Sequence, residues 1–354
     1  MPLLIDPDFS RLPDGLAGLF AAAAETSFFN HPAWYAVFAA HALEPGGEAR
    51  LYTDASAGAG LLLQRPGSVP GRQLRSLANY YSCAHAALLR PDVDAATALT
   101  AVVAEVLGER PRWDSLLLTV LDPAADDFTA LDAAFRRFGM VVRPYFDCGV
   151  WYQQTQGLSF AGYVAGLPSQ LRNTWTRKRR KLAGSPRLRL TYCAGEDGLD
   201  DAIAAYEAVY RASWKEPEPN PGFMPALMRA CAVLGALRLA VYHLDGEPAA
   251  AQFWIVWRGR ATIFKLAHDE RFIEHSLGTL LTMELMERVL ENDRPIEIDF
   301  GHGDDAYKKL WLPLRRERWG LLAANPRTPR GLALSARESA ARLYRRLRPA
   351  PDRG

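Results

Sequence analysis

Apolar residues recur along this chain with a helical period in some stretches and a strand period in others. In the first 150 residues, Trp34, Val37 and Phe38 share one face of a predicted helix over Pro32–Ala42. Ala49–Thr53 and Gly60–Gln64 read as strands around a Ser/Gly-rich turn, and Gln73–Leu77 as a third strand. A helix is expected over Asp92–Leu107, where Asp92 or Asp94 can cap it after Pro91. Ser115–Leu121 has the pattern of a buried strand, Asp126–Phe138 that of a helix ended by Gly139, and Met140–Phe146 that of a further strand.

The later pattern is sharper. A strongly basic helix over Pro168–Leu182 is ended by Gly184 and Pro186, and Arg187–Tyr192 alternates like a strand. Gly198–Lys215 is helical with Ile203, Tyr206, Val209 and Tyr210 on one face, and a Pro-rich loop leads to a helix at Met224–Leu234. Three strands follow, Ala236–His243, Ala249–Trp257 and Ala261–Ala267, joined by the hairpin turns Asp245-Gly246 and Arg258-Gly259. A helix at Ser276–Leu290, a strand at Ile296–Phe300, a short helix near Asp304–Trp311 and a strand near Arg318–Ala323 complete the series. The first half shows the last seven elements of this order in weaker form. The expected fold is therefore mixed α/β (α+β), with one unit used twice: a lobe at 1–155, a lobe at 156–325, and an amphipathic, Arg-rich tail helix within 326–354.

A length of 354 residues suits two domains. With 49% hydrophobic and 23% charged residues, the composition excludes a wholly disordered chain. The longest apolar stretch, near Leu16–Ala24, is too short to span a bilayer and lacks the flanks of a signal peptide. Cys83, Cys148, Cys193 and Cys231 are scattered without a CxxC, which argues against a disulfide scaffold or structural zinc and for a reduced, cytoplasmic setting.

The net charge of +2 hides a split. Between Arg172 and Lys181 there are six basic residues and no acid; from Pro326 onward eight Arg stand against Glu338 and Asp352, leaving −4 for the first 325 residues. Each basic patch reads either as a solvated face or as a contact for RNA or anionic lipid.

Chemistry concentrates in two clusters. The first runs from Lys265 through His268, Asp269 and Glu270 to Ser276-Leu277-Gly278, which opens a helix. Ser276 is suited to the N-cap, Gly278 permits close approach of a ligand, and free N–H groups there could hold a pyrophosphate; an ordinary capped helix is the simpler reading of the spacing alone. Lys265, inside an otherwise apolar strand, must reach solvent, an acid or a ligand anion. The second cluster holds Asp299 at a strand end, the turn Gly301-His302-Gly303, then Asp304, Tyr307, Lys308 and Trp311. Its acids, phenol and ammonium could perform acid–base work if they face one cavity, and Asp304 could instead cap the short helix. No HExxH or comparable spacing joins His268, His275 and His302, so no metal is expected. Ser82 and Cys83 beside His85 could form a nucleophile, although a buried structural Cys reads more simply.

Together, the basic helix Ser169–Leu182, the Lys265–Glu270 stretch with Ser276-Leu277-Gly278, Ile298-Asp299-Phe300-Gly301 with Gly303-Asp304, and Tyr307-Lys308 with Trp311 resemble the CelD/BcsL acyltransferase family of the GNAT superfamily. That family is similar to the FemABX peptidyl transferases. The match covers about Leu167–Ala323; the first half resembles a degenerate GNAT unit in element order and in Phe28–Trp34. The family usually shows an aromatic where His268 stands and Pro where Leu277 stands, and of its Arg/Gln-x-x-Gly-x-Gly/Ala turn only Gly278 is intact.

The resemblance implies acyl transfer from acetyl-CoA or another acyl-CoA to an amine on a polysaccharide or envelope precursor, with Ser276, Gly278 and Thr279 holding the cofactor. Asp299, Lys265, Tyr307, Asp269 and Asp304 are the candidate catalytic residues. Lys308, Glu270, Trp311 and Trp214 are the candidate acceptor-binding residues. A FemABX-like use of aminoacyl-tRNA, with helix 169–182 and the C-terminal tail contacting tRNA or an anionic membrane surface, is the alternative; a catalytically silent module in an export complex is a third reading.

Overall fold

The computed structural model describes residues 3–182 and 187–347, and its contacts divide the chain into two compact units. Gly184 and Pro186, expected to end the basic helix, lie outside the described residues. Unit 1 holds residues up to Cys148 together with those from Glu317 onward, and unit 2 runs from Gly149 to Arg316.

Unit 1 opens with strand β1 (Leu3–Ile5), helices α1 (Asp14–Thr26) and α2 (Pro32–His41), and strands β2 (Glu48–Thr53), β3 (Ala59–Arg65), β4 (Gln73–Ser76) and β5 (Leu88–Leu89). Helix α3 (Ala95–Gly108), strand β6 (Ser115–Leu121), helix α4 (Asp126–Arg137) and the first half of strand β7 (Val141–Gln154) follow. Helix α1 is the apolar stretch that was too short for a membrane span; its Leu16, Leu19, Phe20, Ala23 and Ala24 are buried. The core packs Leu99, Val102, Val103 and Val106 of α3 and Leu131 and Phe135 of α4 against Leu116 and Leu118 of the sheet. Among the described residues, no helix is long and apolar enough to cross a membrane, and all four cysteines are buried and free.

Unit 2 takes up the second half of β7, then α5 (Phe160–Gly166), the basic helix α6 (Ser169–Leu182), β8 (Leu188–Cys193), α7 (Leu199–Arg211) and α8 (Phe223–Val233). The meander β9 (Leu237–Leu244), β10 (Glu247–Trp257) and β11 (Arg260–His268) leads through α9 (Leu277–Arg288) to β12 (Glu297–Asp299). Trp254, Leu281, Met286, Ile298, Phe300 and Leu312 form the centre of its core, each such burial stabilising by about 1.5–3 kcal/mol. Helix α6 is anchored by Trp175, edge-to-face on Phe160 with ring centroids 5.8 Å apart, while Arg177, Arg179, Arg180 and Lys181 remain exposed. The chain then returns to unit 1 as β13 (Leu314–Ala324) and α10 (Pro329–Leu347).

The two units share one topology. In unit 1, β1 pairs β2, β2 pairs β3 and β3 pairs β4, all antiparallel, and β4 pairs β6 in parallel across α3. In unit 2, β8, β9, β10 and β11 repeat that antiparallel ladder, and β11 pairs β12 in parallel across α9. The place beside β6 is taken by β13, with Leu322 opposite Leu117, and the place beside β12 is taken by β7, with Gln153 opposite Ile298.

This exchange of final strands departs from the division into 1–155, 156–325 and 326–354. The stretch 317–324 follows unit 2 in sequence but joins the sheet of unit 1. The tail helix starts at Pro329 and docks on that unit: a Cβ at Gly331 would lie 2.1 Å from the Asn325 carbonyl, and Glu338 pairs with Arg143. Strand partners are long-range choices that local periodicity does not encode.

Candidate active site

The site of unit 2 begins where β12 ends and β11 continues. β11 and β12 pair only over Arg260–Thr262 and Glu297–Asp299, yet β11 runs on to His268. β12 ends at Asp299, and past that end lies a cavity of about 380 Å³. Leu266 and His268 of β11 line it, with Phe300, Tyr307 and Trp311 from the chain after β12. Ser276, Leu277, Gly278 and Thr279, at the start of α9, line it too, as does Trp214 from the loop after α7.

The start of α9 is open. Ser276 occupies the N-cap position with left-handed backbone (φ 56°), and its hydroxyl makes no capping hydrogen bond, contrary to the expectation of a Ser cap. The N–H groups of Leu277, Gly278 and Thr279 precede the first intrahelical bond, which Leu280 makes to the Ser276 carbonyl at 3.1 Å. They therefore offer donors and the positive end of the helix dipole to whatever enters the cavity. A buried polar set holds this helix end in place. Gln252 of β10 donates from Nε2 to the Gly278 carbonyl (3.2 Å) and to Thr282 Oγ1 (2.6 Å). The Thr282 hydroxyl donates to the same carbonyl (2.9 Å), and Trp254 Nε1 donates to Gln252 Oε1 (2.9 Å).

Two titratable groups line the cavity. Burial pushes the Tyr307 phenol up to about 12, so it stays protonated near neutrality. Burial lowers the His268 imidazole below its ordinary value, against the pull of Glu270 and Asp269, so it is held neutral. The His268 ring lies 4.4 Å from the Trp214 ring.

Of the sequence-predicted residues, the structure gathers Trp214, Ser276, Gly278, Thr279, Tyr307 and Trp311 around this cavity and places the others elsewhere. Lys265 is cross-strand to Phe253, while Leu266 is cross-strand to Gln252; strand alternation thus turns Lys265 to the α7 side, where Nζ pairs with Glu218 at 3.0 Å. The same alternation sets Asp299 on the face opposite Ile298 and Phe300. Asp299 is buried and accepts the Gly301 N–H at 2.8 Å; burial raises its carboxyl above the usual range against the pull of Arg316 and Arg260.

Asp269 is buried as the cap of the short helix Glu270–His275. Burial alone would raise its carboxyl, but Arg271, at 2.6 Å, holds it low. Glu270 is exposed and lies off the cavity wall. Asp304 caps no helix: it pairs with Arg315 at 2.7 Å, which lowers its carboxyl. Lys308 is buried and holds the glycine turn, donating from Nζ to the His302 carbonyl (2.8 Å) and the Gly303 carbonyl (3.1 Å), with Asp305 at 3.1 Å. In unit 1, Ser82 Oγ accepts the Asn79 N–H (3.1 Å) and Cys83 Sγ donates to the Tyr81 carbonyl (3.8 Å), bonds that hold a loop together.

His268 lines the cavity and Gln252 braces the start of α9, and the sequence reasoning named neither as a site residue. Gln252 carried a usable signal, as an amide in the apolar run Ala249–Ile255 that demands a partner when buried.

Residues 169–309 match the family model described as Acetyltransferase (GNAT) domain. No curated protein matches the chain. Among solved structures, FemX is similar at 9% identity with a TM-score of 0.61, covering 88% of this chain and 96% of that one. A tandem GNAT protein from the clavulanic acid biosynthesis pathway is similar at 15% identity and a TM-score of 0.52, covering 92% and 99%. The C-terminal domain of a putative lysylphosphatidylglycerol synthetase from Agrobacterium fabrum is similar at 13% and 0.53, covering 85% and 90%. At these identities the likeness is one of fold.

Proposed function

We propose that unit 2 transfers an acyl group from an acyl-CoA to an amine. The observation that carries this reading is the uncapped start of α9 facing an apolar cavity past the end of β12. The N–H groups of Leu277, Gly278 and Thr279 suit the donor's pyrophosphate, and the wall of Leu266, Leu277, Phe300 and Trp311 suits its thioester arm.

In this reading the amine nitrogen attacks the thioester carbonyl, the C–N bond forms, and the C–S bond breaks. Neutral His268 takes the amine proton, directly or through water, and Tyr307 gives its proton to the departing thiolate before regaining one from solvent. These two replace Asp269, Asp299 and Asp304, whose carboxylates are engaged by Arg271, the Gly301 N–H and Arg315. An acceptor on a polysaccharide or envelope precursor belongs to this reading through the family resemblance.

The test is isothermal titration with acetyl-CoA and longer acyl-CoAs, followed by mass-spectrometric detection of acyl transfer to an amine panel. Saturable binding at micromolar donor is expected, as is a loss of transfer of roughly 10²–10⁴-fold in a His268→Ala protein that still binds donor. Absence of binding by every acyl-CoA would contradict it.

A second reading, aminoacyl-tRNA as donor, is favoured by the exposed Arg177, Arg179, Arg180 and Lys181 on α6. Binding of tRNA whose log affinity falls steeply with log salt, with a flatter slope after neutralising these four residues, would support it.

A further inference from the structure

A second cavity, of about 300 Å³, is enclosed by α7, the Pro-rich loop after it and α8. Tyr206 and Tyr210 of α7 form one wall, Pro217 and Pro221 of the loop another, and Met224 of α8 closes it. Lys215 enters this space. Its Nζ lies 5.7 Å from the ring centres of both Tyr210 and Trp214. Trp214 lines the first cavity, so Lys215 stands at the junction of the two.

Lys215 lines this cavity together with Arg211, Glu207 and Glu218. The ammonium groups of Lys265 and Lys308 both act on that of Lys215. Lys265 has Glu218 at 3.0 Å, and Lys308 has Asp305 at 3.1 Å. Among the described residues, Lys215 has aromatic faces but no carboxylate or carbonyl within hydrogen-bond reach of its ammonium. Glu207 and Arg211 line the same cavity and offset each other. Partial burial of a cation costs free energy that a bound anion offsets.

We propose that this cavity is an acceptor pocket selecting amines that also carry a carboxylate or phosphate, with the anionic group held by Lys215 and the body of the acceptor against Tyr206, Tyr210 and Pro221. The acceptor's amine then points past Trp214 toward the first cavity. The selectivity for acceptors rests on the acyl-transfer reading; the anion pocket itself does not. Burial, with Lys265 and Lys308 adding to it and Glu218 and Asp305 opposing, brings the Lys215 ammonium down to about 8. Anion binding should therefore weaken as pH rises through about 8, because the charge that attracts the anion is lost.

The first test uses the unmodified protein. Trinitrobenzenesulfonate is applied at pH 7.5 with increasing inorganic phosphate or acetate, and modification of each lysine is followed by peptide mass spectrometry. Shielding of Lys215 by tenfold or more, with the exposed Lys309 unaffected, is expected from at least one anion, and the anion that shields names the group preferred. No shielding of Lys215 by either anion overturns the pocket. The second test compares ethanolamine, O-phosphoethanolamine and β-alanine as acceptors. An anionic amine is expected to have a KM at least tenfold below that of ethanolamine, with the preference falling to within about twofold in Lys215→Gln. Equal KM values for all three amines overturn the proposed selectivity. If none is acylated while phosphate still shields Lys215, the acyl-transfer reading fails and the anion pocket stands.

Discussion

Helices α3 and α9 occupy the same place in their units, each joining the third meander strand to a parallel partner, yet their first turns are built oppositely. In α3, Asp94 is the N-cap and its carboxylate accepts the Thr97 N–H at 2.8 Å. In α9 the equivalent position is Ser276 in left-handed backbone without a capping bond, followed by Gly278 and a cavity. A carboxylate at α3 fills the place an anionic ligand would take, whereas α9 leaves that place vacant and braces the helix from behind through Gln252 and Thr282. One architecture thus starts the corresponding helix once with a carboxylate cap and once without a side-chain cap, and the difference lies in a few side chains.

The comparison can be broken most severely by charge. Gly278→Glu puts a carboxylate among the open N–H groups of α9, and acyl-CoA affinity by titration calorimetry should fall by roughly 10²-fold. Gly278→Ala is the control: its Cβ would meet His268 Nδ1 at 3.4 Å, an ordinary contact, so affinity should stay within about threefold. Gln252→Leu removes the brace and leaves the Thr282 hydroxyl with one partner fewer. A stability loss of about 1–3 kcal/mol in urea unfolding is expected, together with weaker donor binding.

Unit 1 should show its own signature in pH. Burial lowers His85 to about 4 from an ordinary 6.5. Between those values the unfolded chain binds a proton that the folded one does not, so stability is full above about 6.5 and is lost as pH falls toward 4. The slope is up to ~1.4 kcal/mol per pH unit and should be absent in His85→Leu. The smallest effect belongs to Asp94→Ala, expected to cost about 1 kcal/mol of stability while leaving acyl-CoA affinity unchanged.

Much of this fold was legible in the chain. The three meander strands of unit 2 carry hairpin turns and near-continuous apolar runs, so β9, β10 and β11 sit within two residues of the predicted spans. Helix α1 was visible only as an apolar stretch, because its Ala-rich run has a weak periodic contrast. The exchange of β7 and β13 was hidden, since pairing partners far apart in sequence leave no local mark.

The site was half legible. Gly278 and Tyr307 lie where a close approach and a phenol are useful, but Lys265 and Asp299 are each one position out of phase with the cavity face of their strands. A bulge between Phe253 and Trp254 shifts the pairing of β10 with β11, and no residue pattern announces it. The folded chain alone brings Trp214 against His268, and Lys265 and Lys308 toward Lys215.

The most direct measurement is a titration of acetyl-CoA followed by backbone amide NMR. Saturable shifts at Leu277, Gly278 and Thr279, with the amides of Ala95–Thr97 unmoved, are expected if the open start of α9 is the donor site. Binding that leaves the α9 amides unmoved, or that shifts the start of α3 instead, would contradict it.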